Sequence, residues 1–375
     1  MKTSSLIFLI IQLLHSFEVK AQDPVLSQFF ANRSYLNPAF TGLEDGLQIG
    51  ATARNQWFAA DRGYSFVTTT AEWQEPLLNS GFGVAISHAQ EGFAPLESSS
   101  AGLLYSYVIP GARSNWHFGL KYSLNQRRLD WSKLTFSDQL DPVFGNIYTS
   151  AVAPGRESIL FHDFSFGVVR RWDSLTRTNR KNKFSWRSHI GLAVHHLASL
   201  FGDGPDESFL KTGSEVPARI TLHGGTIIPL EFLQGVGRRI TLSPNFRFET
   251  QGLNPLNLGK SLTLFSGGLY VIFLNQFTVG TMYHSRAPLA GAKHTNAMSV
   301  SAGFSSQPQG KKEDNLYLGL SVDVNTSGLG IRSNNIYELN LRYAFRGMKT
   351  FGERGQGSGR KRPRGKSLDC PHFAY

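Results

Sequence analysis

Trp116-His117-Phe118-Gly119-Leu120-Lys121-Tyr122-Ser123-Leu124-Asn125 decides the fold. Every even position is apolar or aromatic, and every odd position is small, polar or charged. A period of two belongs to a β-strand, whose successive side chains point to opposite faces. The pattern recurs at 240–249, where Ile240, Leu242, Phe246 and Phe248 oppose Thr241, Ser243, Asn245, Arg247 and Glu249. It returns at 316–324 and again at 336–345, where Tyr337, Leu339, Leu341, Tyr343 and Phe345 oppose Glu338, Asn340 and Arg342.

Lys121, Arg247, Glu249, Asp323, Glu338 and Arg342 all fall on the polar set. A two-layer soluble sandwich would show the same alternation, with its polar set in water. A transmembrane barrel places the apolar set on lipid and the polar set in a lumen. Three features favour the barrel: an N-terminal leader, aromatic residues at strand ends (Trp57, Trp73, Tyr107, Trp116, Trp172, Trp186) and the strand count. Segments of this kind run from 46–55 and 65–73 through 81–90, 98–108, 115–126, 161–172, 184–195, 217–228, 239–250, 261–272, 276–284, 296–305 and 315–324 to 335–345. They number about fourteen, an even count as bacterial single-chain barrels require. An even count returns the strands' two ends to one side, the periplasm in such barrels, so both termini are expected there. Leu274-Asn275-Gln276 reads as a short turn on that side. The connections 129–160, 176–183, 198–216 and 286–295 are expected to be mostly external, some of them folding back into the lumen.

Composition agrees with an all-β, antiparallel barrel. The chain has 38 Gly, 28 Phe and 12 Tyr but one Cys and four Met. Its mean hydropathy is −0.21, as expected when half of each strand faces a polar lumen. Residues 1–21 read as a signal peptide: Lys2, an apolar run Leu6-Ile7-Phe8-Leu9-Ile10-Ile11-Gln12-Leu13-Leu14, then Val19 and Ala21 before a cut ahead of Gln22. No later stretch approaches the ~20 apolar residues of a membrane helix. The net charge of +11 is concentrated in 346–375, where Arg346, Lys349, Arg354, Arg360, Lys361, Arg362, Arg364 and Lys366 face Glu353 alone between Arg346 and Lys366. This Gly-rich stretch reads as a disordered basic tail that contacts solvent, an acidic partner or anionic headgroups, and not as a nucleic-acid site. The lone Cys370 permits no internal disulfide.

No catalytic set stands out. His162, Asp163 and Ser165 are adjacent instead of convergent, with no G-x-S-x-G elbow. His195 and His196, consecutive on a strand, should point to opposite faces; His195, His189 and His223 on neighbouring strands suit polar lumen packing with Arg219 better than a metal. Gly81, Gly83, Gly267 and Gly268 read as strand glycines that ease curvature. No cofactor is implied.

Ahead of the first strand, 22–45 shows neither strand alternation nor a long helical face. It carries Gln22-Asp23-Pro24-Val25-Leu26-Ser27-Gln28-Phe29 and then Tyr35-Leu36-Asn37-Pro38-Ala39-Phe40-Thr41-Gly42. Arg54-Asn55-Gln56-Trp57 follows in the first hairpin; later come His195-His196-Leu197, Val216-Pro217-Ala218-Arg219 with His223-Gly224-Gly225, Val322-Asp323-Val324-Asn325, and Cys370-Pro371-His372-Phe373. In this order over the whole mature chain, these motifs resemble the PorP/SprF family of the type IX secretion system of Bacteroidetes. The resemblance implies an outer-membrane protein, 46–345 being the barrel, that serves export of adhesins and gliding-related surface proteins. It implies as partners a cargo's C-terminal secretion domain, the translocon, and periplasmic ring and motor components. Independently of the family, Leu26, Phe29, Phe30, Tyr35, Leu36 and Phe40 make 22–45 apolar enough to be ordered. It is expected to plug the periplasmic mouth, with Arg54, Asn55 and Gln56 as polar partners. The competing reading is a general porin, in which the loop 129–160, with Asp130, Asp138, Asp141 and Glu157, lines a constriction.

Overall fold

The computed structural model describes residues 23–44, 46–57, 63–92, 96–111, 113–141, 143–151, 155–178, 182–202, 204–210, 215–230, 240–252, 262–287, 295–306, 314–326 and 335–345. Its strands are β1 (Leu47–Gln56), β2 (Tyr64–Glu75), β3 (Ser80–Glu91), β4 (Leu96–Ile109), β5 (Ser114–Leu129), β6 (Leu140–Asp141), β7 (Gly145–Asn146), β8 (Ser158–Thr178), β9 (Asn182–His195), β10 (Arg219–Pro229), β11 (Ile240–Gln251), β12 (Leu262–Phe273), β13 (Phe277–Ala287), β14 (Thr295–Ser305), β15 (Asn315–Asn325) and β16 (Ile336–Phe345). The short β6 and β7 pair with each other in the β5–β8 connection. The other fourteen form a closed antiparallel barrel, each hydrogen-bonded to its sequence neighbours, with β1 closing on β16 from Leu47↔Phe345 to Gln56↔Ile336. Closure leaves no strand edge unpaired, the condition for backbone in contact with lipid.

Burial separates the barrel from a sandwich. Ile86, Leu103 and Leu320 on the outside are 64%, 62% and 61% exposed, whereas Arg247, Glu338 and His223 inside are 3%, 2% and 0% exposed. A sandwich buries its apolar set between sheets; here that set faces outward on every side and only lipid can cover it. The fourteen segments expected from the alternation match the fourteen barrel strands to within a few residues at most ends.

We call the mouth where β1 begins and β16 ends the near mouth, and the opposite one the far mouth. The long connections after β5 and β9 lie at the far mouth, and the turn Leu274-Asn275-Gln276, with φ of 56° and 55° at its first two residues, lies at the near mouth. The expected external connection 176–183 is corrected. β8 runs to Thr178 and β9 starts at Asn182, paired to the end as Thr178↔Asn182, and this hairpin turns at the near mouth. Its Arg-, Thr- and Lys-rich sequence loses the apolar period because it extends past the lipid band. β8 has 21 residues, roughly 70 Å of strand at ~3.3 Å per residue, about twice what a tilted crossing needs.

The core sits inside the lumen. Residues 23–44 run there as a strap with one short helix, α1 (Arg33–Leu36), and a 3₁₀ turn at Pro38–Phe40. Phe29, Phe30, Leu36 and Phe40 form a buried cluster with inward-facing Val169, Tyr270, Met282 and Tyr317. The stretch 346–375, with Cys370, and residues 1–21, expected to be a signal peptide, lie outside the described residues.

Candidate functional site

The strap is held at three depths. Nearer the far mouth, Arg54 of β1 lies between Asp323 of β15 (3.4 Å) and Glu338 of β16 (3.2 Å). The Ser27 hydroxyl bridges Arg54 and Asp323, and the Ser27 and Gln28 amides donate to the two Glu338 oxygens at 2.7 and 2.9 Å. Glu338 thus satisfies two backbone donors that an irregular segment would otherwise leave buried and unpaired, while Arg54 and Asp323 engage the Ser27 hydroxyl. Arg247 stands over the Phe29 ring at 4.8 Å, and Phe30 meets Tyr270 edge-on at 4.4 Å.

At mid-depth the turn Asn37-Pro38-Ala39-Phe40 lies against the wall. The Asn37 amide donates to the carbonyls of Val168 (3.3 Å) and Leu192 (3.1 Å) and lies 3.0 Å from His223 Nε2; its oxygen accepts the Ala39 N–H at 2.9 Å. Pro38 opens the 3₁₀ turn, where its fixed φ suits the first position. The wall admits this backbone only because it lacks side chains there. A Cβ on Gly119 would stand 2.1 Å from the Ala39 nitrogen, and one on Gly167 1.9 Å from Asn37 Oδ1. Toward the near mouth, the Thr41 carbonyl accepts the Ser106 hydroxyl (2.7 Å) and the Gly42 amide donates to Glu72 (3.1 Å). Gly81 also belongs to this cradle: a Cβ there would meet the Thr41 carbonyl oxygen at 2.2 Å. Its role is close approach of the strap.

At the far mouth, Asp23 accepts from Arg219 Nη1 (3.2 Å) and lies 2.9 Å from His196 Nε2; the other His196 nitrogen is 3.2 Å from Asp163. The Tyr35 hydroxyl donates to the Pro24 carbonyl (2.8 Å), and Arg219 lies 5.4 Å over the Tyr35 ring. His195 reaches Ser165 (3.2 Å) and the Leu36 carbonyl (3.3 Å). The expectation that His195 and His196 point to opposite faces is corrected: β9 ends at His195, and His196 adopts a left-handed conformation (φ 56°) that turns its ring inward beside His195. A cavity of about 150 Å³ opens at this mouth, walled in part by Asp23, Tyr35, Lys121, Arg127 and Glu207.

Burial raises the Asp23 carboxyl, but the His196 and Arg219 charges outweigh it and hold it well below the carboxylate range. Burial likewise lowers His196, yet Asp23 and Asp163 lift it to about 10. A folded-state value above the ordinary 6.5 stabilises fully below 6.5 and is lost as pH rises through about 10. The depressed Asp23 contributes above its ordinary 3.8 and loses that contribution only as pH falls below it. Protection of the strap from protease in detergent should therefore be greatest up to about pH 6.5 and weaken above it in an alkaline step that ends near pH 10. His196→Gln should remove that alkaline step; a step unchanged in the variant would refute the assignment.

The residues expected from sequence divide. Tyr35, Asn37, Pro38, Arg54, His195, His196, Arg219 and His223 converge on the strap. Asn55 and Gln56 instead end β1 in pairs with Tyr337 and Ile336, and Trp57 is 45% exposed at the far rim. The strap does not stop at one mouth as expected: it reaches from Gly42 near the first mouth to Asp23 at the other. Sequence reading missed Asp23, Ser27, Gly119, Gly167 and the pairing of both Asp323 and Glu338 with Arg54. The inward parity of Gly119, Asp323 and Glu338 was the available signal. His162 faces outward to Tyr122 (2.6 Å), away from Asp163 and Ser165. In the β5–β8 connection, Asp130, Asp138 and Asp141 cap turns of their own loop: Asp138 takes Ser150 and Ala151, and Asp141 takes Val143 and Phe144.

Among solved structures, similar folds include the outer-membrane protein Omp33 of Acinetobacter baumannii (8% identity, TM-score 0.40, 81% of this chain and 100% of that one). Others are the Ralstonia pickettii toluene transporter TbuX (9%, 0.40, 83% and 92%) and a Pseudomonas aeruginosa FadL homologue (12%, 0.41, 84% and 94%). No curated protein matches the sequence. The family model "Type IX secretion system membrane protein PorP/SprF" matches residues 18–343, which take in the strap and all but the last two residues of the barrel, and the chain belongs to that family.

Proposed function

We propose that this type IX secretion component is a plugged scaffold that binds protein partners at its loops and rims, and not an open pore. The observation that carries this reading is the strap, anchored at three depths by Glu338, Asn37 and Asp23. A segment so tied to the wall fills the lumen and leaves loops and rims as the surfaces on offer. The β5–β8 connection presents Val143 and Phe144, 80% and 75% exposed, at the far mouth. Exposed apolar residues of this kind suit protein contact. We assign the far mouth to the cell surface, because long connections of such barrels are external. The partners are secreted adhesins or other cargo with a C-terminal secretion domain, and translocon subunits. The tail 346–375 is directed to periplasmic ring and motor components, and its charge suits an acidic partner.

The test is co-purification from detergent-solubilised outer membrane, with full-length protein and with residues 346–375 removed, alongside the adhesins released by cells lacking the gene. Full-length protein should retain translocon or cargo chains, and the deletion strain should lose surface adhesin. Normal adhesin export in that strain, together with loss of small-solute uptake, would instead support the porin reading.

A further inference from the structure

The strap's direction has a topological consequence. β1 starts and β16 ends at the near mouth, where Leu47 pairs with Phe345. From there, moving backward along the chain, Gly42 meets Glu72 in the near half and Asn37 reaches Val168, midway along β8. Ser27 then meets Glu338 and Asp323, two residues from the far-mouth ends of β16 and β15. Asp23 meets Arg219, His196 and the Gln251 side chain. Arg219 is the first residue of β10, His196 directly follows β9 and Gln251 ends β11. All three sit at the far mouth.

We infer that the strap threads the full length of the barrel, so that the amino end of the mature chain emerges at the mouth opposite the ends of β1 and β16. The barrel's two chain ends then lie on opposite sides of the outer membrane, against the parity argument that places both in the periplasm. That argument holds for the strands and fails for the chain, because the strap crosses once more inside the lumen. Slippage is resisted at each depth. Retracting the strap would strip two backbone amides from Glu338, drag Phe29, Phe30 and Phe40 from their buried cluster, and leave Arg219 without Asp23. The mature amino end becomes a feature of the far-mouth vestibule, bordering its cavity. Placing that mouth at the cell surface rests on the orientation proposed above; threading itself does not.

Site-directed labelling tests threading on full-length protein in cells. The background is Cys370→Ser, since Cys370 is the chain's one cysteine. A Gly-Ser-Cys-Gly insertion between Gln22 and Asp23 reports the amino end. Phe144→Cys reports the far mouth and Leu78→Cys, in the β2–β3 turn, the near mouth; these side chains are 75% and 58% exposed. With a membrane-impermeant maleimide, the inserted cysteine should label on intact cells together with Phe144→Cys, while Leu78→Cys labels only after permeabilisation. Labelling of the insertion together with Leu78→Cys overturns threading. So does an inserted cysteine silent on both sides until the protein is unfolded. If the insertion and Phe144→Cys stay together but only Leu78→Cys labels on intact cells, threading stands and the proposed orientation falls.

Discussion

Gly119→Val should convert a barrel of little steady conductance into an open one. In planar bilayers the wild-type protein is expected to pass little current. The variant should reach the level of a chain lacking residues 23–41. The cause is steric and local. A Cβ at this position would lie 2.1 Å from the Ala39 nitrogen, 2.2 Å from the Pro38 carbonyl carbon and 2.4 Å from the Ala39 Cα. All three are backbone atoms of a turn that Asn37 ties to β8 and β9. No rotamer change relieves such an overlap, so the turn must leave the wall. Valine suits the strand itself, and β5 keeps its ladders to β4 and β8. The wall therefore survives while the mid-depth anchor is lost. Gly167→Val, facing Asn37 Oδ1 at 1.9 Å, should act in the same way. Leu103→Val, on the outer face of β4 and 62% exposed, is the control and should stay closed. Large steady current through the wild type would sink the plugged-scaffold reading in favour of a general porin. Unchanged current in Gly119→Val would mean that the strap does not limit conduction.

The two levels of structure were unequally legible in the sequence. The barrel was readable because lipid imposes one rule on every strand: one face apolar, the other not. His117, Gly119, Lys121 and Ser123 betray their direction by parity alone. Parity fails where lipid ends, which is why the β8–β9 connection at 176–183 reads as a loop. It fails again at His196, where one left-handed residue turns a side chain back to the face that alternation denies it. The strap was legible as ordered, from Phe29, Phe30 and Phe40, but its path was not. The path is set by single matches between distant residues: Gly119 with Ala39, Asn37 with His223, Ser27 with Glu338. No local pattern encodes such pairs. Arg54 shows the difference. Its inward face is plain from β1, yet its two carboxylate partners lie 269 and 284 residues away.

Those carboxylates make Arg54→Met the most destabilising single change expected at the anchor between Arg54, Asp323 and Glu338. Methionine fills much of the arginine stem's volume, so packing is largely kept and the charge is what disappears. Asp323 and Glu338 would then face each other inside a closed lumen, with side chains 4% and 0% exposed in the present structure. Removing one partner from a buried ion pair costs about 3–5 kcal/mol, because the remaining charge is neither solvated nor matched. The strap softens the loss only in part. The Ser27 and Gln28 amides still donate to Glu338, and the Ser27 hydroxyl still reaches Asp323. These are neutral donors, and they belong to the segment that the loss sets free. The unfolding midpoint of purified protein in detergent should fall sharply, and the strap should become protease-sensitive before the barrel opens. A combined variant tests the cause: Arg54→Met with Asp323→Asn and Glu338→Gln removes all three charges and keeps one of the two oxygens that accept the strap amides, the other being replaced by an NH2 donor. It should recover part of the lost stability, since replacing a whole buried charge set costs far less than breaking it. If the triple variant is no better than Arg54→Met alone, the arginine acts through shape, and the ionic account of the anchor is wrong.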